Sequence, residues 1–353
     1  MKRLLAFTAL TLVASFGCGP ASATGDTATG GSSSVATGTM ATAGAGGSTS
    51  NGGSSTSTGR LDCPPGMLCL VPPDSGFQIK TLGEAIEPGQ DIEYCEVVAL
   101  PGGPEVTYYV DAFQVEMTQF SHHLIVQSAI PGSATEKAIS PGMKTTCTGA
   151  DVFGGEIEGV TGSQHPYHEE QYPEGVGKKF QGGQKLIFDY HYFNSSNAPV
   201  KAGAALNFHT VDASKVTREA HAFGFYNLNF AVPPNSKQTF TSECRFTQDV
   251  IVSKLTRHTH QWGKDFSTEF AGGPNSGQHI WTTPNYEETE HFFPEPLLIK
   301  DGEGFRFSCA FDNTTPKTLK FGLKATDEMC ILFGTWYTPK VGGPETSQDC
   351  LAK

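Results

Sequence analysis

The stretch "KLIFDYHYF", residues 185–193, is short and aromatic and lies between segments rich in Gly, Asn and Ser. Runs of this kind, separated by Gly, Pro, Asn or Ser, are typical of antiparallel sandwich strands. Similar runs occur at residues 107–117, 122–130, 205–211, 223–232, 249–260 and 304–311. Helical periodicity is hard to find, and 41 Gly with 22 Pro fit a loop-rich chain. The sequence therefore predicts an all-β fold.

The length of the chain indicates two such domains. About 290 residues follow residue 60, more than one hydrophobic core usually organises. The segment "DASKVTR", residues 212–218, interrupts two strand-like runs and marks the boundary. We predict two antiparallel, jelly-roll-like β-sandwiches in series, at 61–214 and 215–353, after a signal peptide at 1–18 and a flexible tether at 19–60.

The N-terminus, "MKRLLAFTALTLVASFGCGP", indicates export. Two basic residues precede an apolar run too short to be a permanent membrane span, which is the pattern of a signal peptide. Cys18 resembles a bacterial lipobox cysteine, although Ser15 stands where Leu is usual, and Gly19 points to the outer membrane. The alternative is cleavage after Ala23. We predict a cell-envelope lipoprotein held at the membrane only by its lipid anchor, or a secreted protein if the lipobox is not used.

Composition defines the tether and excludes one class of partner. Residues 21–59 are almost entirely Gly, Ser, Thr and Ala, which is too little apolar surface to fold. A net charge of −12 and a pI near 5.4, without a basic cluster, argue against nucleic acid as a partner. Nine cysteines in an exported chain indicate disulfides, and setting Cys18 aside for lipidation leaves an even number.

Two closely spaced histidines are the first candidate metal ligands. The stretch "RHTHQWGK", residues 257–264, places His258 and His260 two positions apart. In an extended strand, such residues point to the same face and can hold one metal ion. A single HxH motif is weak evidence, because most histidines on a strand are solvated or packed in a core.

Three further motifs strengthen the metal hypothesis. His122 and His123 are adjacent, His191 lies in an aromatic strand, and Met329 stands beside Cys330. Taken singly, His191 and Met329 are more often packed core residues. Neighbouring residues of a strand face opposite ways, so the His122–His123 pair can share an ion only if the strand bulges or the rings bind through different nitrogens.

In this order, the motifs resemble those of the copper type II, ascorbate-dependent monooxygenases, the family of peptidylglycine α-hydroxylating monooxygenase and dopamine β-monooxygenase. "PEGVG" at 173–177 and "HTHQWGK", which is similar to the family's HTHHLGK, extend the resemblance over about residues 91–351. It implies two copper ions with a solvent-filled cleft between them, reduced by ascorbate or another one-electron donor. The implied ligands are His122, His123 and His191 for one copper, and His258, His260 and Met329 for the copper that activates dioxygen.

The resemblance also implies a disulfide pattern. It pairs Cys95 with Cys147, Cys244 with Cys350, and Cys309 with Cys330. The remaining Cys63 and Cys69, in "CPPGMLC", are close enough to close a small loop together.

The residues around the motifs argue against a peptide substrate. The peptide-amidating members carry an Arg two residues before HTH, where this chain has Thr256. Arg257 is shifted by one position, which turns its side chain to the other face of a strand. Ile331 and Phe333 stand where those enzymes have Asn and Tyr. We therefore expect an apolar pocket without a clamp for a carboxylate.

Three functions remain at this point. The first is a monooxygenase that hydroxylates an aliphatic C–H of a small, fairly apolar molecule with dioxygen, using His258, His260 and Met329. The alternative is a non-catalytic surface or periplasmic copper-binding lipoprotein. A structural lipoprotein with incidental histidines is disfavoured by the complete set of six ligands. We expect His165 and His168 to lie in a solvated loop and assign no role to the other four histidines, His209, His221, His279 and His291.

Overall fold

The computed structural model describes residues 67–147, 156–284, 289–322, 324 and 326–352. These residues belong to one compact unit, Thr56–Lys353. The predicted signal peptide, Cys18, the tether and Cys63 lie outside the described residues. No helix in these ranges has the length and apolar character that crossing a membrane requires.

The described chain consists mainly of strands, as predicted. The first eleven are β1 (Gly76–Ile86), β2 (Asp91–Ala99), β3 (Thr107–Met117), β4 (Ser121–Ala129), β5 (Lys144–Thr145), β6 (Ile157–Ser163), β7 (Tyr167–Gln171), β8 (Val176–Gln181), β9 (Lys185–Phe193), β10 (Val200–Thr210) and β11 (Arg218–Glu219). The other eleven are β12 (His221–Asn227), β13 (Ala231–Val232), β14 (Ser236–Arg245), β15 (Val250–His258), β16 (Gly263–Ala271), β17 (His279–Thr283), β18 (Glu290–Ile299), β19 (Gly304–Asn313), β20 (Leu319–Lys320), β21 (Ile331–Tyr337) and β22 (Cys350–Ala352). A short helix, α1 (Ala134–Ala138), and a 3₁₀ turn (Ala213–Lys215) connect strands.

The first eleven strands form one sandwich. One sheet has the order β1-β10-β3-β8-β11, with β7 also beside β3, and the facing sheet has the order β5-β2-β9-β4-β6. Strand β9 shows why they pack together, because its even-numbered residues from Leu186 to Tyr192 are fully buried in a core shared with Phe113 and Phe208 of the facing sheet. The opposite face of β9 carries Asp189 and His191.

The last eleven strands form the second sandwich. Its larger sheets have the orders β18-β15-β21-β12-β22 and β14-β19-β16-β17, and β13 pairs with β20. Aromatic residues of both sheets, including Phe225 and Trp336 on one and Phe266 and Phe307 on the other, form its core. In the described ranges, no sheet mixes strands from the two groups, and the pairing changes between β11 and β12. The prediction of an all-β sandwich fold is confirmed.

Three disulfides of the described chain match the pairs implied by the resemblance. They are Cys95–Cys147, Cys244–Cys350 and Cys309–Cys330. The last one ties β19 to the residue that precedes β21, immediately after Met329. The Cys63–Cys69 pairing remains a prediction, because Cys63 lies outside the described residues.

Buried charges join the two sandwiches. The Nζ of Lys254 on β15 lies 2.9 Å from Oε2 of Glu170 on β7 and 3.2 Å from Oε1 of Glu290 on β18. The other oxygen of Glu290 lies 3.1 Å from Nδ1 of His168 on β7. Burial alone would raise the pKa of Glu290, but the Lys254 ammonium and His168 outweigh that effect and lower the pKa to about 2.

The expectation of a solvated loop is therefore wrong for His168, whereas His165 lies half-buried in the connection between β6 and β7. His168 is buried in β7, and Nε2 of His165 lies 3.3 Å from the hydroxyl of Thr289 in the second sandwich. The acids that follow His168 in the sequence suggested that its side chain is exposed to solvent. Its actual partner, Glu290, is more than a hundred residues away along the chain.

We expect Glu290→Gln to destabilise the protein by about 1–3 kcal/mol near neutral pH, because Lys254 and His168 lose a buried carboxylate partner. The folded pKa of Glu290 lies below its ordinary value of 4.5, so its contribution is complete above that pH and is lost as the pH falls towards about 2. The difference in melting temperature between wild type and variant should shrink over that interval. Glu295→Gln, at an exposed position of the same strand, is the control; a gap that does not depend on pH would contradict the ion-pair assignment.

Candidate metal centre

A bulge in β4 brings the adjacent histidines to one side. Ser121 pairs with Tyr192, but His123 pairs with His191, so β4 contains one extra residue at His122. The two rings then face each other through the same nitrogen type, with their Nδ1 atoms 3.0 Å apart. Of the two arrangements left open by the sequence, the structure shows the bulge.

His191 completes the first group of histidines. It lies directly across from His123 in the neighbouring strand β9. Its Nε2 lies 2.7 Å from a carboxylate oxygen of Asp91, and its Nδ1 is buried without a hydrogen-bond partner. One ring nitrogen from each of the three histidines falls within 4.8 Å of the others, an arrangement that could hold a metal ion.

The second group lies where β15 ends. His258 is the last residue of that strand, and His260 follows in the turn. Nδ1 of His258 lies 2.7 Å from the side-chain oxygen of Gln164, which belongs to the first sandwich. Nδ1 of His260 lies 3.1 Å from the carbonyl oxygen of Asp327. The Nε2 atoms of both rings are buried without a hydrogen-bond partner.

Glu328 organises the turn beside Met329. One of its oxygens accepts hydrogen bonds from the backbone N–H of His260 at 2.8 Å and of Met329 at 3.2 Å. The other accepts from the N–H of Trp262 at 2.7 Å. Because one oxygen binds both N–H groups, the backbone at Met329 lies next to the backbone at His260. Burial raises the pKa of Glu328 to about 7, although these N–H groups oppose the rise.

Gln164 and Glu328 were missed by the sequence analysis. Glu328 precedes Met329 directly, but an acid beside a candidate ligand is usually solvated, so its position gave no usable signal. Gln164 lies 94 residues from His258 and reaches it only because the two sandwiches meet. No local pattern reports that kind of contact.

The two histidine groups are in direct contact. The ring centroid of His122 lies 5.9 Å from that of His258 and 5.3 Å from that of His260. His123 and His258 are 5.4 Å apart, and His191 and His260 are 6.2 Å apart. The solvent-filled cleft implied by the resemblance is therefore not found between the rings in this structure.

Burial keeps four of the five imidazoles neutral. Together with neighbouring imidazoles, burial lowers the pKa of His122 to about 3, and burial is also the main cause that lowers the pKa of His260 to about 4. The pKa values of His123 and His258 are lowered well below the ordinary value for the same reason. A neutral imidazole with an unpartnered nitrogen is the form that binds metal ions. The centre therefore fits a metal by its donor atoms and by its protonation state.

Carboxylates lie behind the first group of histidines. Glu93 on β2 approaches Nε2 of His123 at 4.0 Å, and Asp189 lies on β9 two residues before His191. Burial raises the pKa of both acids, and for Glu93 the charges of Asp189 and Asp91 raise it further. Acidic groups behind metal-binding histidines orient the ring and increase its basicity.

The remaining histidines lie outside this centre. His209 lies beside the Gln114 side chain, and His221 contacts Glu158. His291 stacks on Trp281, while His279 is exposed. Each has its own local environment away from the five clustered rings.

Comparison with known proteins agrees with the motifs. Residues 221–350 match the family model described as copper type II ascorbate-dependent monooxygenase, C-terminal domain. Among solved structures, the major capsid protein P2 of bacteriophage PM2 is similar at 7% identity and a TM-score of 0.28, over 74% of this chain and 97% of that one. The capsid of the virus PBCV-1 is similar at 9% identity and a TM-score of 0.22, over 78% and 95%. Likeness at these scores has no bearing on function. Over residues 221–350, the chain is similar to the C-terminal domain of the copper type II ascorbate-dependent monooxygenases.

Proposed function

We propose that this protein is a copper-dependent monooxygenase that hydroxylates an aliphatic C–H of a small, fairly apolar substrate, using dioxygen and a one-electron reductant such as ascorbate. The observation that carries the proposal is the cluster of five histidines. Four of them, His123, His191, His258 and His260, have a buried ring nitrogen without a hydrogen-bond partner. The backbone of His260 lies next to that of Met329, and residues 221–350 match a family model of copper monooxygenases.

The proposal assigns two copper ions. His122, His123 and His191 would hold one, and His258, His260 and Met329 would hold the other. When bound, copper would supply single-electron transfer at the first set and dioxygen activation at the second, because a thioether favours Cu(I). Met329 is buried, and Glu328 fixes the backbone beside it.

The chain's own residues orient the rings and exclude water. Asp91, Gln164 and the carbonyl of Asp327 each hold one ring nitrogen of a histidine and leave the other available to bind copper. Burial of His258 and His260 limits solvent at the set proposed to meet oxygen. These contacts align the imidazoles before a metal arrives.

Apolar residues support the proposed class of substrate. Ile331 pairs directly with His258 across β15 and β21, and Phe333 pairs with Thr256. Arg257 is 1% exposed, so its guanidinium is not offered to a substrate carboxylate from open solvent. An uncharged, mainly aliphatic molecule fits this lining better than a peptide end.

The close approach of the rings favours a second candidate. Imidazoles 5–6 Å apart and almost fully buried suit the retention of copper as well as its turnover. The alternative is therefore a non-catalytic copper-binding lipoprotein. For either function we propose lipidation at Cys18 and a location in the bacterial cell envelope.

Dioxygen uptake separates the two candidates. The copper-loaded protein, reduced by ascorbate, should consume dioxygen in proportion to a panel of small apolar substrates, with one hydroxylated product per dioxygen. Dioxygen uptake without added substrate does not distinguish the two candidates, so uptake with each substrate is compared with uptake in its absence. Full copper loading with no substrate-dependent uptake would favour the copper-binding alternative.

Met329→Ile should remove oxygen chemistry and leave the fold intact. The two side chains have similar apolar volumes, a swap that usually costs less than about 1.5 kcal/mol where only packing is at stake. X-ray absorption of the reduced, copper-loaded protein should lose its copper–sulfur signal, and substrate oxidation should stop. Met117→Ile, at another buried methionine, is the control and should keep both the copper–sulfur signal and substrate oxidation. Wild-type oxidation by Met329→Ile would make Met329 a packing residue.

Gln164→Leu should weaken copper binding at the second set about 10–100-fold, because His258 loses the acceptor that fixes its ring. Gln164→Glu retains an acceptor oxygen and should restore most of the affinity. Chelator competition on the reduced protein measures two copper affinities, and only one should change. Gln171→Leu, at an exposed glutamine that follows in β7, is the matched control. Equal effects of Gln164→Leu and Gln164→Glu would show that ring orientation is not the cause.

A further inference from the structure

We propose that Glu93, His123 and Asp189 form a third cation site, suited to Zn²⁺, which shares the His123 ring with the first copper site. This site goes beyond the proposed oxygenase function. Its existence can be measured by metal binding alone, without turnover. The residues lie on three neighbouring strands of one sheet, in the order β2-β9-β4.

The sheet brings the three side chains to one face. Glu93 pairs with His191 on β9, and His191 pairs with His123 on β4, so the three residues form one row across the sheet. Asp189 lies two residues from His191 on β9 and therefore points to the same side. One ligand atom each from Glu93, His123 and Asp189 lies within 4.8 Å of the others.

The unused nitrogen of His123 is directed towards the two acids. Its Nδ1 faces Nδ1 of His122 at 3.0 Å, on the side of the first copper set. Its Nε2 lies on the opposite edge of the ring, 4.0 Å from the Glu93 carboxylate, and has no hydrogen-bond partner among the described residues. His123 is 1% exposed, so solvent cannot supply the partner that this buried nitrogen lacks.

The negative charge at the site lacks a cationic partner. Within the described ranges, no lysine or arginine forms an ion pair with Glu93 or Asp189, and Oδ1 of Asp189 is buried without a hydrogen-bond partner. Asp91, the next acid on β2, is already engaged with His191. Buried carboxylates are normally paired or bound to a metal. A divalent cation would favour the ionised form of both acids and would bind Nε2 of His123 as well.

The donor set favours zinc among divalent ions. One imidazole and two carboxylates match the nitrogen and oxygen ligands of zinc sites, with room for a fourth ligand. Zinc bonds of about 2.0–2.2 Å place tetrahedral donor atoms about 3.4 Å apart, so the side chains would have to move closer together on binding. The set contains no thioether or thiolate, so Cu(I) has no preference for it. The His123 ring would then bridge copper at Nδ1 and zinc at Nε2 as an imidazolate, with its ring N–H proton released to solvent on zinc binding.

Zinc titration after copper loading tests the site. The full chain is first loaded with Cu(I) under ascorbate without oxygen, which occupies the sets that favour copper. Zn²⁺ is then added, excess is removed, and both metals are measured. We expect one zinc in addition to the copper. Glu93→Gln and Asp189→Asn should each weaken zinc binding by more than about 100-fold, a larger loss than the roughly 10–100-fold expected for copper when an indirect partner of its ligands is removed.

Two controls make the result specific. Glu87→Gln removes an exposed acid close to β2 and should leave zinc binding unchanged. Zinc X-ray absorption of the wild-type protein should show one imidazole among oxygen ligands, a readout that does not depend on any variant folding. Absence of retained zinc, equal retention in Glu93→Gln, or a zinc spectrum with two or more imidazoles would overturn the proposal, the last because zinc would then occupy a histidine set.

Discussion

The metal centre depends on hydrogen bonds that hold one nitrogen of an imidazole and leave the other without a partner. Asp91 does this for His191, Gln164 for His258, and the Asp327 carbonyl for His260. Each bond fixes both the tautomer and the direction of the ring, so the second nitrogen points into the cluster. Burial lowers the pKa of His258 and His260 and so keeps these two rings neutral. Orientation and neutrality together make histidines in a protein core able to receive a metal.

The period of the strand determines where these rings can be. Along β9, even-numbered residues fill the core while Asp189 and His191 face the other side, so one strand supports the fold and carries a ligand. The same period would send His122 and His123 apart. The bulge in β4 removes that conflict by adding one residue opposite β9. A regular β4 would place the ring of His122 on the wrong side of the sheet.

The sequence revealed much of the fold and the ligand types, because both depend on local patterns. Aromatic runs and turn residues predicted the strands. The adjacent histidines predicted that β4 has a bulge or that the two rings bind through different nitrogens, because neighbouring strand residues face opposite ways. Gln164, Glu328 and the Lys254 network could not be predicted, because each acts through a partner brought near by the packing of the two sandwiches or by a turn. The same limit explains the error at His168, because the acids that follow it in the sequence indicated a position exposed to solvent.

The acids around the cluster can balance the positive charge of a bound metal ion, which neutral imidazoles cannot do. Neutral rings donate electron pairs but no negative charge, whereas every metal bound here would bring positive charge into a buried place. Asp91 and Glu93 lie behind the first histidine group, and Glu328 lies under the turn that carries His260 and Met329. Because these acids are held by the same strands and turns as the rings, the groups that can supply compensating charge when a cation binds are built into the fold. Replacing any one of them would change the cost of holding a cation, even with every ligand nitrogen still in place.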